Sequence, residues 1–266
     1  MDENIDTYKK PYHRIFRPMF ERDNSGWNGH VFLNDHSYAV NPQAYMRAFN
    51  YLQDDIKNLF EYIEPSDKNL STYSHYIQQL LMRCCVEVEA NFKAIFKENK
   101  YISRDERYWT MNDYRLINKS HHLDHYIVAF PIWSGIHNKF QPFSEWTISD
   151  KSLHWYDAYN KSKHDRQKNM QLANFSNLLY AFSALFVVLT AQFGTETYEP
   201  GCTFLACGGD DSDYYNNMNF GIGNYLGFLY PDNWTEEEKY DFDWNKLKNE
   251  SERFRKYDYD SLISNR

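Results

Sequence analysis

The chain has 266 residues, enough to bury a core in one large domain or two small ones. Its 29 Lys+Arg stand against 37 Asp+Glu, a formal net charge of -8, which excludes a broadly basic nucleic-acid surface and leaves only a local basic patch for such a role. Aromatic residues make up 18% of it, a composition suited to thick packing of rings with polar tips outward.

Residues 1–41 show no steady period and are punctuated by Pro11, Pro18, Gly26 and Gly29. They read as an irregular arm laid over a helical bundle, with one short strand expected at HVFL, residues 30–33. Met1 to Lys10 is charged and shows no apolar leader. The spacing of Tyr45, Phe49, Leu52, Ile56, Leu59 and Ile63 predicts a helix over 42–64, with Pro42 in its first turn and Pro65 ending it. Ile77, Leu81, Cys84, Val88 and Ile95 predict a second helix over 72–99, and Asn91 takes the one polar step on that apolar stripe.

The adjacent Cys84 and Cys85 diverge on a helix, so they are not expected to pair. With Cys202 and Cys207 they fit a reduced, cytoplasmic setting. A short helix is expected at 111–123, with Asn112 as its cap, followed by an extended run in IVAFPIW. Residues 150–163 are helix-permissive and 168–193 strongly helical. There Leu172, Phe175, Leu179, Phe182, Phe186, Leu189 and Phe193 keep an unbroken alternation of three and four, which Gly194 stops. The apolar run Leu178 to Phe193 falls short of the roughly 20 residues of a spanning helix, so a buried helix and no membrane association are expected. Residues 195–231 are rich in Gly and Asn and suit a hairpin or ordered loop. Thr235 and Glu238 fit a capping box opening a surface helix in the last segment. The fold class is therefore mainly α: an arm over 1–41, a helical bundle over 42–194, and a loop-rich C-terminal appendage over 195–266.

The densest chemistry lies in YNKSKHDR, residues 159–166. On a helix Asn160 and His164 are i, i+4 neighbours, with Lys161 and Lys163 beside them and Arg166 just beyond. An imidazole exchanges protons near neutrality, and cations beside it would hold a phosphate and stabilise charge developing on it. The pattern suits phosphodiester cleavage without a metal or cofactor; the alternative is a solvated basic helix end. Arg83, Glu87 and Asn91 recur every four residues along the second helix and are candidates to face this block and complete a polar site. HHLDH contains His121 and His125 at zinc-compatible spacing, without a third ligand beyond a nearby Asp124. Cys202 and Cys207 lack a second pair, and GGDDSD at 208–213 lacks the terminal Glu of a calcium loop.

A mostly helical chain with an Asn-x-x-x-His block ahead of its last long core helix resembles the HEPN superfamily (higher eukaryotes and prokaryotes nucleotide-binding domain). Asn160 and His164 match that family's motif, whereas Tyr159 stands where the family has Arg. The likeness covers about residues 42–193. It implies a helical bundle and a metal-independent endoribonuclease of a defence or toxin-antitoxin system, acting as a homodimer whose site is shared between protomers. His164 would then be the general acid/base for attack by a ribose 2′-hydroxyl, with Asn160 and Arg166 beside it. Tyr159, Lys161 and Lys163 would contact the RNA, and Lys161, Lys163 or Arg166 would supply the missing positive charge. Two other readings stand beside it: a HEPN-like domain that binds RNA, nucleotide or a partner protein without cleavage, and a structural or interaction protein.

Overall fold

A computed structural model describes residues 9–20, 30–148, 151–198 and 218–263. The chain is mainly helical, with a small antiparallel sheet against one side.

Helix α1 (Pro42–Phe60) starts where Asn41 takes a left-handed conformation and Pro42 supplies a preset φ. It buries Met46, Phe49, Leu52, Ile56 and Leu59. It stops four residues short of the expected end, because Tyr62 and Ile63 both turn back onto the Leu59 carbonyl ahead of Pro65. Helix α2 (His75–Glu98) is capped by Ser74, whose hydroxyl accepts from the Ile77 amide at 3.1 Å. The expected helix over 111–123 is broken into short turns. Thr110 and Asp113, in place of Asn112, cap α3 (Met111–Tyr114). A 3-10 turn then leads to α4 (Asn118–His121), which ends where His122 enters the left-handed region at φ 51°. Helices α5 (His154–His164) and α6 (Arg166–Asn169) follow, then α7 (Phe175–Phe193) and, near the C-terminus, α8 (Trp244–Leu247).

Helix α7 is the centre of the core. From Ala181 to Phe193 every side chain is buried, which explains why its apolar positions do not confine themselves to one stripe. By length and composition it could cross a membrane, but 83% of that window is buried inside the protein. It packs mainly on α2, with α1 and α5 alongside. At roughly 1.5–3 kcal/mol per buried large apolar side chain, Phe182, Phe186 and Leu189 alone make a major contribution to stability. It starts at Phe175 rather than 168. The Asn174 side chain accepts from the Asn177 amide at 2.9 Å, while the Phe175 and Ser176 amides turn away to the Thr72 and Leu70 carbonyls.

The sheet runs β2-β1-β4-β3, with β1 (Ile127–Ala129), β2 (Lys139–Phe140), β3 (Asn219–Phe220) and β4 (Gly227–Leu229) all antiparallel. Val128 pairs with Phe140 on one side and Phe228 on the other, so the extended run after HHLDH joins the segment that follows α7. The chain crosses α7 at Gly221, where an added Cβ would lie 2.0 Å from the Phe186 ring; only glycine fits that approach.

Three expectations change here. HVFL is not a strand: Val31–Asn34 is a 3-10 turn with Phe32 and Leu33 buried. Thr235 and Glu238 close a single turn rather than opening a helix, since the chain must straighten for Tyr240 to pair with Met19. The C-terminal segment is integrated rather than appended. Lys9 pairs with Asp241 and Tyr12 with Arg255, and Tyr240, Trp244, Leu247 and Tyr259 belong to the same core as α7. Cys202, Cys207 and GGDDSD lie outside the described residues.

Candidate functional site

The site is built on α5, and α5 is held from below. Trp155 is fully buried and donates its indole N–H to the Pro142 carbonyl at 2.8 Å. Tyr156 donates to Glu89 of α2 at 2.9 Å, and Gln78 of α2 donates to the Ser162 carbonyl at 3.1 Å. Ala158, Tyr159 and Ser162 complete the buried face. Ends of helices leave carbonyls unpaired, so the bond from Gln78 satisfies one near the terminus as well as fixing it to α2.

Helix α5 ends at Asp165, which leaves the helical region and caps α6, its carboxylate accepting from the Lys168 amide at 3.3 Å. Asn169 reaches back and donates to the carbonyls of Lys161 and Asp165, at 3.3 and 3.0 Å. The result is a tight knuckle between α5 and α6. Lys161, Lys163, His164, Arg166 and Lys168 are all exposed on it. Within residues 161–168 four Lys or Arg oppose the single Asp165, a local excess of three positive charges on a chain of net -8. Cations in the last turn of α5 also complement its dipole, a structural benefit independent of any ligand.

The His164 ring makes no hydrogen bond among the described residues and faces solvent, and Asn160, one turn before it, is half-buried. Tyr159 does not present itself to a ligand. The residue is 3% exposed, and its hydroxyl accepts from the Lys163 ammonium at 3.1 Å. Burial pushes the Tyr159 phenol up in pKa against the opposing pull of that ammonium, and the same hydrogen bond raises Lys163 above the ordinary lysine value. Both groups therefore keep their protons at neutral pH, and Lys163 is a fixed positive charge.

Arg83, Glu87 and Asn91 are not brought to this block. Arg83 pairs with Asp55 of α1, and Glu87 lines a groove between α1 and α2 with Ala48 and Tyr51. Partial burial raises the Glu87 pKa. Asn91 is fully buried; it donates to the Glu87 carbonyl at 2.9 Å and accepts from Gln192 of α7 at 3.0 Å. The reason is helical geometry. At about 100° per residue, Cys85 lies about 200° round α2 from Arg83, so the face that meets α5 is Gln78, Cys85 and Glu89. Gln78 and Glu89 were the residues to look for: polar positions separated by three turns that both carry a contact to α5.

His121 and His122 of HHLDH serve the fold. His121 is fully buried, with Nε2 against the Arg14 carbonyl at 2.8 Å and Nδ1 against Ser120 Oγ at 2.7 Å, and burial lowers its pKa to about 3. His122 stacks on Trp234 at 4.0 Å and contacts Glu238 at 3.0 Å. Among the described residues no group of three or more His, Cys, Asp or Glu is placed to hold a metal ion. Cys84 and Cys85 are buried and free, and burial raises both thiols far above the range where a thiolate forms. Comparison of the chain with protein-family models, with curated proteins and with solved structures finds no match.

Proposed function

We propose that this chain is a HEPN-like RNA-binding protein that contacts RNA through the α5–α6 knuckle and cleaves it without a metal, with His164 as general acid/base. The observation carrying this reading is the exposed group of Lys161, Lys163, His164, Arg166 and Lys168 on a junction fixed to the core through Trp155 and Gln78 and closed on itself by Asn169. In the reaction a ribose 2′-oxygen attacks the adjacent phosphorus and gives its proton to an imidazole. The 5′-oxygen leaves with a proton from an imidazole, producing a 2′,3′-cyclic phosphate and a free 5′-hydroxyl. The cations stabilise the charge on the phosphoryl oxygens. One exposed ring without an orienting partner serves one proton transfer at a time, so a second His164 from a partner copy would supply the other role.

A second reading, RNA binding without cleavage, is favoured by Tyr159: the position where the family has Arg is a sealed ring that holds Lys163. Incubation of single-stranded RNA with wild-type protein and with His164→Ala separates the two. Cleavage in EDTA that His164→Ala abolishes supports catalysis. Binding without cleavage, weakened in Lys161→Ala/Lys163→Ala, supports the second reading. No binding by wild type removes both.

A further inference from the structure

Cleavage of a phosphodiester takes two proton transfers, and the knuckle supplies one imidazole. A second lies on α2. His75 is the first residue of that helix, it is exposed, and its ring makes no hydrogen bond among the described residues. No short motif connects it with His164, because it belongs to a different helix much earlier in the chain.

The register of α2 against α5 decides where it sits. Gln78 donates to the Ser162 carbonyl at 3.1 Å, and Glu89, further along α2, accepts from Tyr156, earlier on α5, at 2.9 Å. The two helices therefore run antiparallel, and the start of α2 lies beside the end of α5. At a rise of about 1.5 Å per residue, His75 lies about 4.5 Å beyond Gln78 along α2. His164 lies about 3 Å beyond Ser162 along α5, in the same direction. The two histidines are thus level to within about 2 Å, across a seam whose helix axes pack about 8–10 Å apart.

Rotation puts both on the solvent side of that seam. On α2, Gln78, Cys85 and Glu89 fall within about 20° of one direction, the one that meets α5, while the buried Ile77, Leu81 and Val88 turn about 60–100° away into the core. His75 is turned about 60° from Gln78 in the opposite sense, toward solvent. On α5, Tyr156 faces α2 and the buried Trp155 turns about 100° from it into the core, while His164 turns about 80° the other way. The base of His75 is fixed. Ser74 caps the helix, Tyr73 pairs with Asn174, and the Phe175 amide donates to the Thr72 carbonyl at 2.8 Å. Lys161, Lys163 and Arg166 share this end of the seam. The carboxylates there are engaged, Asp157 with Ser152 and Asp165 with Lys168 at 3.4 Å. The first turn of α2 adds the positive end of its dipole, which favours an anion.

We propose that His75 and His164 form a two-imidazole site within one chain, holding one phosphate of an RNA between them. This rests on the reading of the knuckle as an RNA site, and it supplies from α2 the second ring that the reading takes from a partner copy. One ring, neutral, takes the proton of the 2′-hydroxyl as the bond from the 2′-oxygen to phosphorus forms. The other, protonated, gives its proton to the 5′-oxygen as the bond from phosphorus to that oxygen breaks. Each ring ends in the other's protonation state, and exchange with water resets both.

The test compares His75→Ala, His164→Ala and His36→Ala, the last removing an exposed imidazole of the N-terminal arm, in cleavage of a single-stranded RNA in EDTA. His75→Ala is expected to lower kcat by about 100-fold or more with KM unchanged. It should also lose one limb of the bell-shaped pH profile and recover activity in added imidazole, which a misfolded variant does not. His36→Ala should match wild type. An equimolar mixture of the His75 and His164 variants should stay inactive, since both rings must come from one chain. Wild-type cleavage by His75→Ala, or activity restored in the mixture, would overturn the proposal and leave His164 in its role. Where wild type itself does not cleave, the ribonuclease reading is what fails, and histidine-selective NMR with sodium phosphate decides the pairing. Signals of both rings moving with one Kd support it; His164 moving alone refutes it.

Discussion

Lys100 gives the sharpest separation of backbone from charge. Its φ of 60° lies in the region that costs an L-residue about 1–2 kcal/mol. Glycine removes that cost but adds chain freedom to the unfolded state, worth about 0.4–1 kcal/mol against folding. The net for Lys100→Gly is a gain of about 0.5–1 kcal/mol, because the two bonds that close the end of α2, from the Lys100 amide to the Lys97 carbonyl and from the Tyr101 amide to the Phe96 carbonyl, are backbone bonds and survive the change. For a chain of this size, about 1 kcal/mol shifts Tm by roughly 2–4 °C. Thermal unfolding followed by circular dichroism should therefore place Lys100→Gly about 2 °C above wild type. Lys100→Ala keeps the left-handed cost and should not rise. A glycine variant that melts at or below wild type, alongside an unchanged alanine variant, would mean that the left-handed backbone at residue 100 carries no strain.

Other outcomes follow from particular contacts. RNA affinity should fall with salt with a log–log slope near -3 if about four knuckle cations contact phosphates, and Lys161→Ala/Lys163→Ala should flatten it by about 1.4; fluorescence anisotropy across a salt series reads this directly. His121 has its folded pKa depressed by burial, to about 3, while the unfolded imidazole titrates near 6.5. Its contribution is complete above pH 6.5 and declines as pH falls toward 3. Between pH 7.5 and 5 wild type should lose about 2 kcal/mol that His121→Gln does not lose, as read by urea unfolding at both pH values. Arg14 is fully buried against Glu98, Gln192 and the Val40 carbonyl. Arg14→Met leaves the Glu98 carboxylate with the Val40 amide but no cation, and should cost about 3–5 kcal/mol in the same assay; a loss under about 1 kcal/mol would show that Glu98 finds water instead.

The three long helices were legible because each joins a three-four period to a local signal that starts or stops it. The breaks were harder. His122 in a left-handed conformation and Asn174 as a cap divide stretches whose composition suits continuous helix. The last segment was illegible for a different reason. Tyr240 is buried because its hydroxyl donates to the Ile15 carbonyl at 2.7 Å, across 225 residues, and no local window contains both partners. The polar positions of α2 show the limit most directly. Arg83, Glu87 and Asn91 form a regular stripe, as do Gln78, Cys85 and Glu89, and only the packing of α5 decides which stripe meets the knuckle.

Within the knuckle, the sequence places two kinds of residue in one short block. Tyr159, Ser162, Asp165 and Asn169 hold the junction through buried rings or backbone bonds. Lys161, His164 and Arg166 hold nothing among the described residues and face solvent. The two sets interleave at one to three residue intervals, so a motif alone assigns them a common role. Their contacts assign opposite ones: replacing a member of the first set should lower stability, whereas replacing a member of the second should leave stability within about 0.5 kcal/mol of wild type and change only what the surface binds. Side chains that a fold does not use, gathered on a junction that it fixes this firmly, are where a ligand can be recognised without reorganising the protein.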